Sequence, residues 1–368
     1  MNILAVNWQD RSNPLAGGAE VHLEALLQRI AAKGHSVTLF CSSYASALPE
    51  EEIKGVKVIR RGNRYNFNLV TPFLLPRLVR ENKFDVLIED INKIPFYTPM
   101  YLNIPTLVVV PHLFSTTVFR EINFALGMYI YLCEKPLVSV YRGLRFNVIS
   151  DSTAEDIRKR GIPKDDISVI HCGIDNDTYN FDPDVRKFEK PSVLYLGRIK
   201  KYKSIDHILI AFKEILNDIP DAQLNIIGDG DYLPALKQLA GTLNISDKTV
   251  FHGYVDRAAK VDMLRRSHVA ICPSLKEGWG LTNIEANACG TAVIAADSPG
   301  LRDSVVDNKT GFLYPYGKLS SLAERIKTIL IDDNERARLE KGGLEWVNKF
   351  NWDDAAEMFL QELERVAS

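Results

Sequence analysis

Short apolar runs recur along this chain, and segments of helical period separate them. "NILAVNW" leads into a helix-period segment at 19–33; "SVTLFC", "DVLIED", "TLVVVP" and "FNVIS" follow, then a helical segment at 151–160 and "ISVIH". That alternation of β-branched runs with amphipathic segments is the βαβ rhythm of a parallel sheet. It breaks over 171–191, "HCGIDNDTYNFDPDVRKFEKP", which is polar, rich in turn residues and aperiodic, and which predicts an interdomain linker. The rhythm then restarts with "SVLYLG", a helix at 204–217, "AQLNIIG", a helix at 231–241, "TVFHG", a helix at 256–266, "HVAICP", a helix from about 280 and "TAVIAA". The expectation is an α/β protein with two doubly wound domains in tandem, a division that 368 residues also favours because a single core seldom grows to that size.

Bulk chemistry narrows the function. A formal charge of -2 argues against a general nucleic-acid binder, which needs a basic surface to displace counterions. The five cysteines show no C-x-x-C spacing and read as buried thiols. "MNILAVNW" lacks the basic start and cleavage site of a secretion signal, and the best apolar stretch, Phe124 to Cys133, stops at Glu134, well short of a membrane span. A cytoplasmic location is the expectation.

Ligands of doubly wound sheets bind beyond the carboxyl ends of the strands, so the loops there hold the candidate chemistry. "LYLGRIKKYKSID" presents Arg198, Lys200, Lys201 and Lys203 ahead of a helix with Ser204 as its expected N-cap. "NIIGDGDYL" turns through Gly228 and Gly230, and "VFHGYV" ends in Tyr254 and Val255. "SLKEGWGLTNIEANACG" places Glu277, Gly278, Trp279, Gly280 and Leu281 at a helix start, with Glu285 further along and Gly290 as its C-cap. Two glycines without Cβ atoms let a phosphate approach the free N–H groups and the positive end of the helix dipole. Glu285 lies roughly 7 to 8 Å along the axis from Gly280. Carboxylates therefore flank a diphosphate resting there, which is the layout that a sugar nucleotide requires: one for the sugar hydroxyls, the other for the ribose.

Along essentially its whole length the chain resembles glycosyltransferase family 4, the group 1 retaining transferases with the GT-B fold of two Rossmann-like domains facing a central cleft. "KEGWGLTNIEANACG" resembles that family's E-x7-E signature, "GRIKKYKSID" its diphosphate-binding Arg and Lys pair, "GGAEVHLEALLQRIAAKGHSVTLF" its glycine-rich first loop and helix, and "VIHCGID" its pre-linker strand. The resemblance implies an acceptor-binding domain at 1–178, a nucleotide-sugar domain at 179–352 and a last helix, within 353–368, packing back on the first. It implies that Arg198 and Lys203 neutralise the leaving nucleoside diphosphate, Glu277 touches the donor sugar and Glu285 binds the ribose. Gly17 and Gly18 approach the diphosphate, with Gly228, Gly230, Tyr254, Val255 and the Gly278–Leu281 backbone also on the donor side. His112, in "VVVPHLFS", stands near the acceptor with Asn92. A nucleoside-diphosphate sugar, UDP-linked by preference with GDP-mannose as the other choice, and a glycan or lipid-linked acceptor are the expected partners; neither cofactor nor metal is expected.

Rival readings are weaker. Both G-x-G turns lack the third glycine of a dinucleotide fingerprint, since Leu233 and Asn283 stand there. The D-x-D pattern of metal-dependent transferases occurs three times, at 175–177, 182–184 and 229–231, which shows how unspecific it is. A glycoside hydrolase using Glu277 and Glu285 leaves the cations without purpose. A sugar-nucleotide binder without turnover is the other alternative. Finally, Lys57, Arg60, Arg61, Arg64, Arg77, Arg80 and Lys83, interleaved with Tyr65, Phe67 and Phe73 and opposed by Glu81, form a basic tract suited to peripheral contact with an anionic membrane.

Overall fold

The computed structural model describes residues 1–92, 94–120 and 123–368. They divide into two compact units, one made of Met1–Gly173 with Asn351–Ser368, the other of Ile174–Phe350.

The first unit is built on eight strands: β1 (Asn2–Val6), β2 (Ser36–Ser42), β3 (Glu50–Ile53), β4 (Val56–Arg61), β5 (Val86–Asp90), β6 (Thr106–Val110), β7 (Arg145–Val148) and β8 (Ile167–Val169). Their order in the sheet is β3-β4-β2-β1-β5-β6-β7-β8, parallel throughout except that β3 runs against β4. Strands such as "LVVV" in β6 are apolar at every position because a parallel sheet is covered on both faces. Its helices are α1 (Gly18–Ala32), α2 (Phe67–Asn82), α3 (Phe124–Glu134), α4 (Leu137–Val140) and α5 (Asp151–Lys159).

The second unit has six parallel strands, β9 (Ser192–Leu196), β10 (Gln223–Ile227), β11 (Thr249–Gly253), β12 (Val269–Cys272), β13 (Ala292–Asp297) and β14 (Phe312–Pro315), ordered β11-β10-β9-β12-β13-β14. Helices α6 (Ile205–Ile215), α7 (Leu233–Thr242), α8 (Arg257–Arg266), α9 (Leu281–Ala288), α10 (Leu301–Ser304), α11 (Leu319–Ile331) and α12 (Asp333–Val347) accompany them. Each sheet thus reverses its strand order once, beside β1 and beside β9, and doubly wound sheets open their ligand crevice at that point.

The last helix, α13 (Trp352–Ala367), belongs to the first unit. It packs on α1 through an apolar stripe that includes Ala356, Phe359 and Leu363, and ion pairs Arg29–Asp353 (2.6 Å), Lys33–Glu357 and Arg145–Glu362 (2.7 Å) line its edges. Beneath it His22 of α1 is fully buried beside the Trp352 ring, and burial pushes its imidazole down to about 4, so it is neutral at physiological pH.

Three sequence expectations change. The aperiodic stretch from 171 is not a free linker: from Ile174 onward it packs within the second unit, where Tyr179 lies on the core, Lys187 reaches the Gly290 carbonyl (2.8 Å) and the Phe188 N–H donates to Arg266 O (2.9 Å). Ser204 stands at the start of α6 but caps no helix N–H; its hydroxyl meets Tyr316 Oη at 2.9 Å. The basic tract shrinks, because Arg60 is buried against Asp10 (2.6 Å) and Glu51, Arg61 and Lys57 pair with Glu50, and Phe67 is wholly buried in the core.

Candidate functional site

In the second unit the loops that follow β9 and β12 leave adjacent strands on either side of the order reversal, so side chains from the two meet. The first runs from Gly197 through a 3-10 turn at Lys201–Lys203; the second runs from Pro273 to Gly280. They are knitted together by backbone: the Leu275 N–H donates to Tyr202 O at 3.0 Å, and the Glu277 N–H donates to Pro299 O at 3.0 Å in the segment after β13. The Ser298 hydroxyl donates to Ser274 O at 2.8 Å.

This scaffold holds Lys203 against Glu277 in an ion pair whose side chains are only 15% and 18% exposed. Burial is the largest influence and works against the ammonium, but the Glu277 carboxylate together with Tyr202, Tyr195 and Cys272 drives the Lys203 pKa upward, so the charge persists across the physiological range. Taking two charges out of water is an inefficient way to stabilise a fold. A fixed, water-poor ammonium and carboxylate are, however, well suited to a ligand that offers both phosphate oxygens and hydroxyls. Arg198, five residues earlier, is exposed and has no ion-pair partner among the described residues; its carbonyl accepts from Tyr195 Oη at 3.0 Å, which pins the backbone while the guanidinium reaches solvent.

The start of α9 lies on the same loop. Gly280 sits at the N-cap with φ +84°, and a Cβ there would stand 2.6 Å from Ser304 Oγ. Gly300 is more constrained still: at φ +81°, its Cβ would fall 2.1 Å from the Glu277 carbonyl oxygen. The Glu277 loop can therefore lie against the segment after β13 only if residue 300 is glycine. Trp279 turns inward, 2% exposed and edge-on to Phe350 at 5.2 Å, so its indole is a packing element. Glu285 lies further along α9 and receives Lys260 of α8 at 2.8 and 2.7 Å on its two oxygens, with that ammonium 5.0 Å from the Tyr179 ring centroid.

Neighbouring strand ends carry the remaining residues expected on the donor side. Gly228 donates to Gly253 O (2.8 Å), and Asp229 O accepts from the Ile199 N–H (2.8 Å), tying the turn after β10 to the Arg198 loop. Tyr254, just past β11, is almost fully exposed; Val255 beside it is half-buried on the core. Asp229 accepts from its own neighbour Gly230 N, and Asp231 pairs with Lys200 at 2.8 Å.

Gly17, Gly18, Asn92 and His112 lie in the first unit. There β1 and β5 are neighbours, and one buried carboxylate organises the loops beyond them. Glu20 accepts from the Gly17 N–H (2.6 Å), from Gln9 Nε2 (3.0 Å) and from Asn92 Nδ2 (3.2 Å), and Asn92 also donates to Asn7 Oδ1 (2.8 Å). The glycine turn before α1 is thereby fixed from three directions. His112 follows β6, half-buried, with its ring edge-on to Phe114 at 5.0 Å. Sequence reasoning missed Glu20, although the G-x-x-E spacing of a capping box was readable, and it missed Gly300, which only the "SPG" turn after a strand hinted at. Lys260 carries no local signal, being one cation in an ordinary charged helix.

Residues 178–346 match the sequence family described as glycosyl transferases group 1, and residues 16–178 match the one described as Glycosyltransferase Family 4. A D-inositol 3-phosphate glycosyltransferase of Xylanimonas cellulosilytica is 31% identical over 225 residues, 56% of this chain; the match spans about half, 53%, of that relative. A phosphatidyl-myo-inositol mannosyltransferase of Mycobacterium tuberculosis is 25% identical over 369 residues, covering 95% of this chain and 94% of its own. Among solved structures, sucrose-phosphate synthase of Thermosynechococcus elongatus aligns with a TM-score of 0.84 at 22% identity, over 100% of this chain and 99% of that one. HepE of Anabaena in complex with UDP-glucose aligns with a TM-score of 0.80 at 17% identity, over 99% and 100%.

Proposed function

From the premise that this chain belongs to glycosyltransferase family 4, the group 1 glycosyl transferases with the GT-B fold, and is itself a glycosyltransferase, we propose a specific reaction. It transfers a sugar, with retention at the anomeric carbon and without a metal, from a nucleoside-diphosphate sugar to a hydroxyl of a glycan or lipid-linked acceptor at the cytoplasmic face of a membrane. The observation that carries this reading is the nearly buried Lys203–Glu277 pair beside exposed Arg198 and the glycine-bounded start of α9.

In that reaction the bond between the anomeric carbon and the diphosphate oxygen breaks, and the acceptor oxygen bonds to the same face of the carbon as its proton passes to the departing phosphate oxygen. Negative charge gathers on the departing phosphate. Lys203, Arg198 and the α9 N-terminus meet it as charges and dipoles already in place, a duty that a divalent cation discharges elsewhere. Glu277 holds sugar hydroxyls, and Glu285, steadied by Lys260, holds the ribose diol. Tyr254 offers its exposed ring to the base, and His112 and Asn92 orient the acceptor. A UDP-sugar is the favoured donor, in keeping with the UDP-glucose in the HepE structure. A hydrolase of neutral sugars gives Arg198 and Lys203 no anion to meet.

A thermal-shift screen over UDP- and GDP-sugars, followed by an assay of nucleoside diphosphate release with glycan and lipid-linked acceptors, tests the proposal. One donor class at a hundred times its Kd should stabilise the chain by about 2.7 kcal/mol, with turnover that survives EDTA. Tight binding without release would make the chain a non-catalytic binder; release abolished by EDTA would refute the metal-free mechanism.

A further inference from the structure

α3 is an anomaly for a water-soluble surface. Its sequence, "FALGMYIYLCE", is apolar almost all round, yet only Gly127 and Glu134 of its 11 residues are buried. Phe124, Leu126, Tyr129 and Leu132 are exposed, Phe124 to 71%. A helix with no polar face normally lies inside a core, because each large apolar side chain left in water forfeits the free energy of burial. Among the described residues nothing in the first unit's packing supplies that cover, and the only acid of α3, Glu134, is turned inward to accept the Phe114 N–H at 2.7 Å.

The surface continues onto α2. Asn68 Nδ2 donates to Tyr129 Oη at 2.9 Å, and Ile130 and Cys133 pack on the cluster that holds Phe67 and Leu75, so the two helices lie side by side. On α2 the exposed positions Leu69, Phe73, Arg77 and Arg80 fall three or four residues apart and form one stripe, preceded by exposed Arg64 and Tyr65. Phe73 is 74% and Tyr65 85% exposed. Arg60 is buried, and Lys57 and Arg61, though accessible, pair with Glu50; among the described residues the exposed cations around this patch that make no ion pair are Arg64, Arg77, Arg80 and Lys83, with Lys135 at the end of α3, and α2 carries one acid, Glu81.

We infer that the paired faces of α2 and α3 form a docking surface for an anionic phospholipid bilayer. Leu69, Phe73, Phe124, Leu126 and Leu132 enter the boundary between headgroups and acyl chains, Tyr65 and Tyr129 lie at headgroup level, and the arginines meet lipid phosphates. At 11 residues α3 is about 16 Å long, half of what a span requires, so it lies in the plane of the interface. Charge decides the occupant: a second copy of the chain would set these cations against each other, whereas an anionic leaflet attracts every one of them. The inference deepens the reading of a membrane-side acceptor, but the docking test uses no donor, acceptor or turnover, so either can fail alone.

Flotation of the full chain with vesicles of phosphatidylcholine alone, or with about one third phosphatidylglycerol, tests it. The wild type should float with the anionic vesicles at low salt and largely detach at 0.5 M NaCl. Arg77→Glu with Arg80→Glu should weaken partitioning at least about 25-fold, taking about fivefold per lost cation, and flatten the salt dependence. Phe73→Ser with Leu126→Ser and Leu132→Ser should weaken it at least tenfold on anionic vesicles; because these side chains are exposed, the melting temperature should hold, separating lost docking from lost folding. Absence of flotation by the wild type, unchanged partitioning in both variants, or dimerisation through this patch in its place would overturn the inference.

Discussion

Lys203→Met is expected to lower kcat by about 10²- to 10³-fold, the usual consequence of removing one preorganised group from a developing oxyanion. The substitution deletes the ammonium proposed to meet the departing diphosphate, and it also breaks the nearly buried ion pair with Glu277. Those consequences must be told apart, since a buried charge without its partner destabilises a fold by itself. Lys203→Met combined with Glu277→Gln removes both charges, so it should recover the melting temperature lost in the single variant while leaving kcat depressed. Lys203→Arg, which keeps a cation within reach of Glu277, should retain more activity than either. Steady-state kinetics beside thermal unfolding reads both effects. Full activity in the double variant would remove Lys203 from the chemistry.

Gly300→Ala is expected to destabilise the chain by more than about 3 kcal/mol and to weaken donor binding. A Cβ at this position meets the Glu277 carbonyl oxygen at 2.1 Å and the Gly278 carbonyl carbon at 3.0 Å, and the residue also holds φ at +81°. Backbone cannot rotate out of the way as a side-chain tip can. The Glu277 loop must move, breaking its hydrogen bond to Pro299 and shifting the carboxylate proposed to hold the sugar. Donor affinity and melting temperature should fall together. Gly317→Ala, also at positive φ but with open space around its Cβ, carries the strain without the clash and is the control; it should lower the melting temperature modestly and leave donor affinity intact.

These two positions mark what the sequence could and could not disclose. Lys203 was readable because it sits in a dense cationic loop directly after an apolar run, and strand ends of a doubly wound sheet are where ligands bind. Glu277 was readable from its glycines and its spacing to Glu285. The lysines that partner the two glutamates were not equally visible: Lys203 stood out as a cation, but its pairing with a carboxylate 74 residues away is a product of the strand order, and Lys260 looked like any solvated helix charge. Gly300 was hidden for a similar reason, since close approach of two backbones leaves no local periodicity.

The basic tract shows the opposite error. Arg60 lies among exposed-looking charges on β4, yet Asp10, 50 residues earlier, draws it wholly inside through two hydrogen bonds. Charge counting in a window cannot see that partner. In the sequence α3 is only an apolar run too short for a membrane span; exposure, which turns it into a surface, is a tertiary property. The layers of the fold were more legible than the site, because burial on both faces of a parallel sheet writes itself into each strand as a continuous apolar run.

In the proposed mechanism the donor's diphosphate rests on the start of α9, with Lys203 and Arg198 neutralising it. Crystals of the chain soaked with a UDP-sugar, or with the nucleoside diphosphate alone, measure this directly. Both phosphorus atoms should lie near the Gly278–Leu281 backbone, with phosphate oxygens within hydrogen-bonding distance of Lys203 Nζ and the Arg198 guanidinium. A diphosphate bound elsewhere on the second unit, with the Lys203–Glu277 pair undisturbed and touching no ligand, would contradict it.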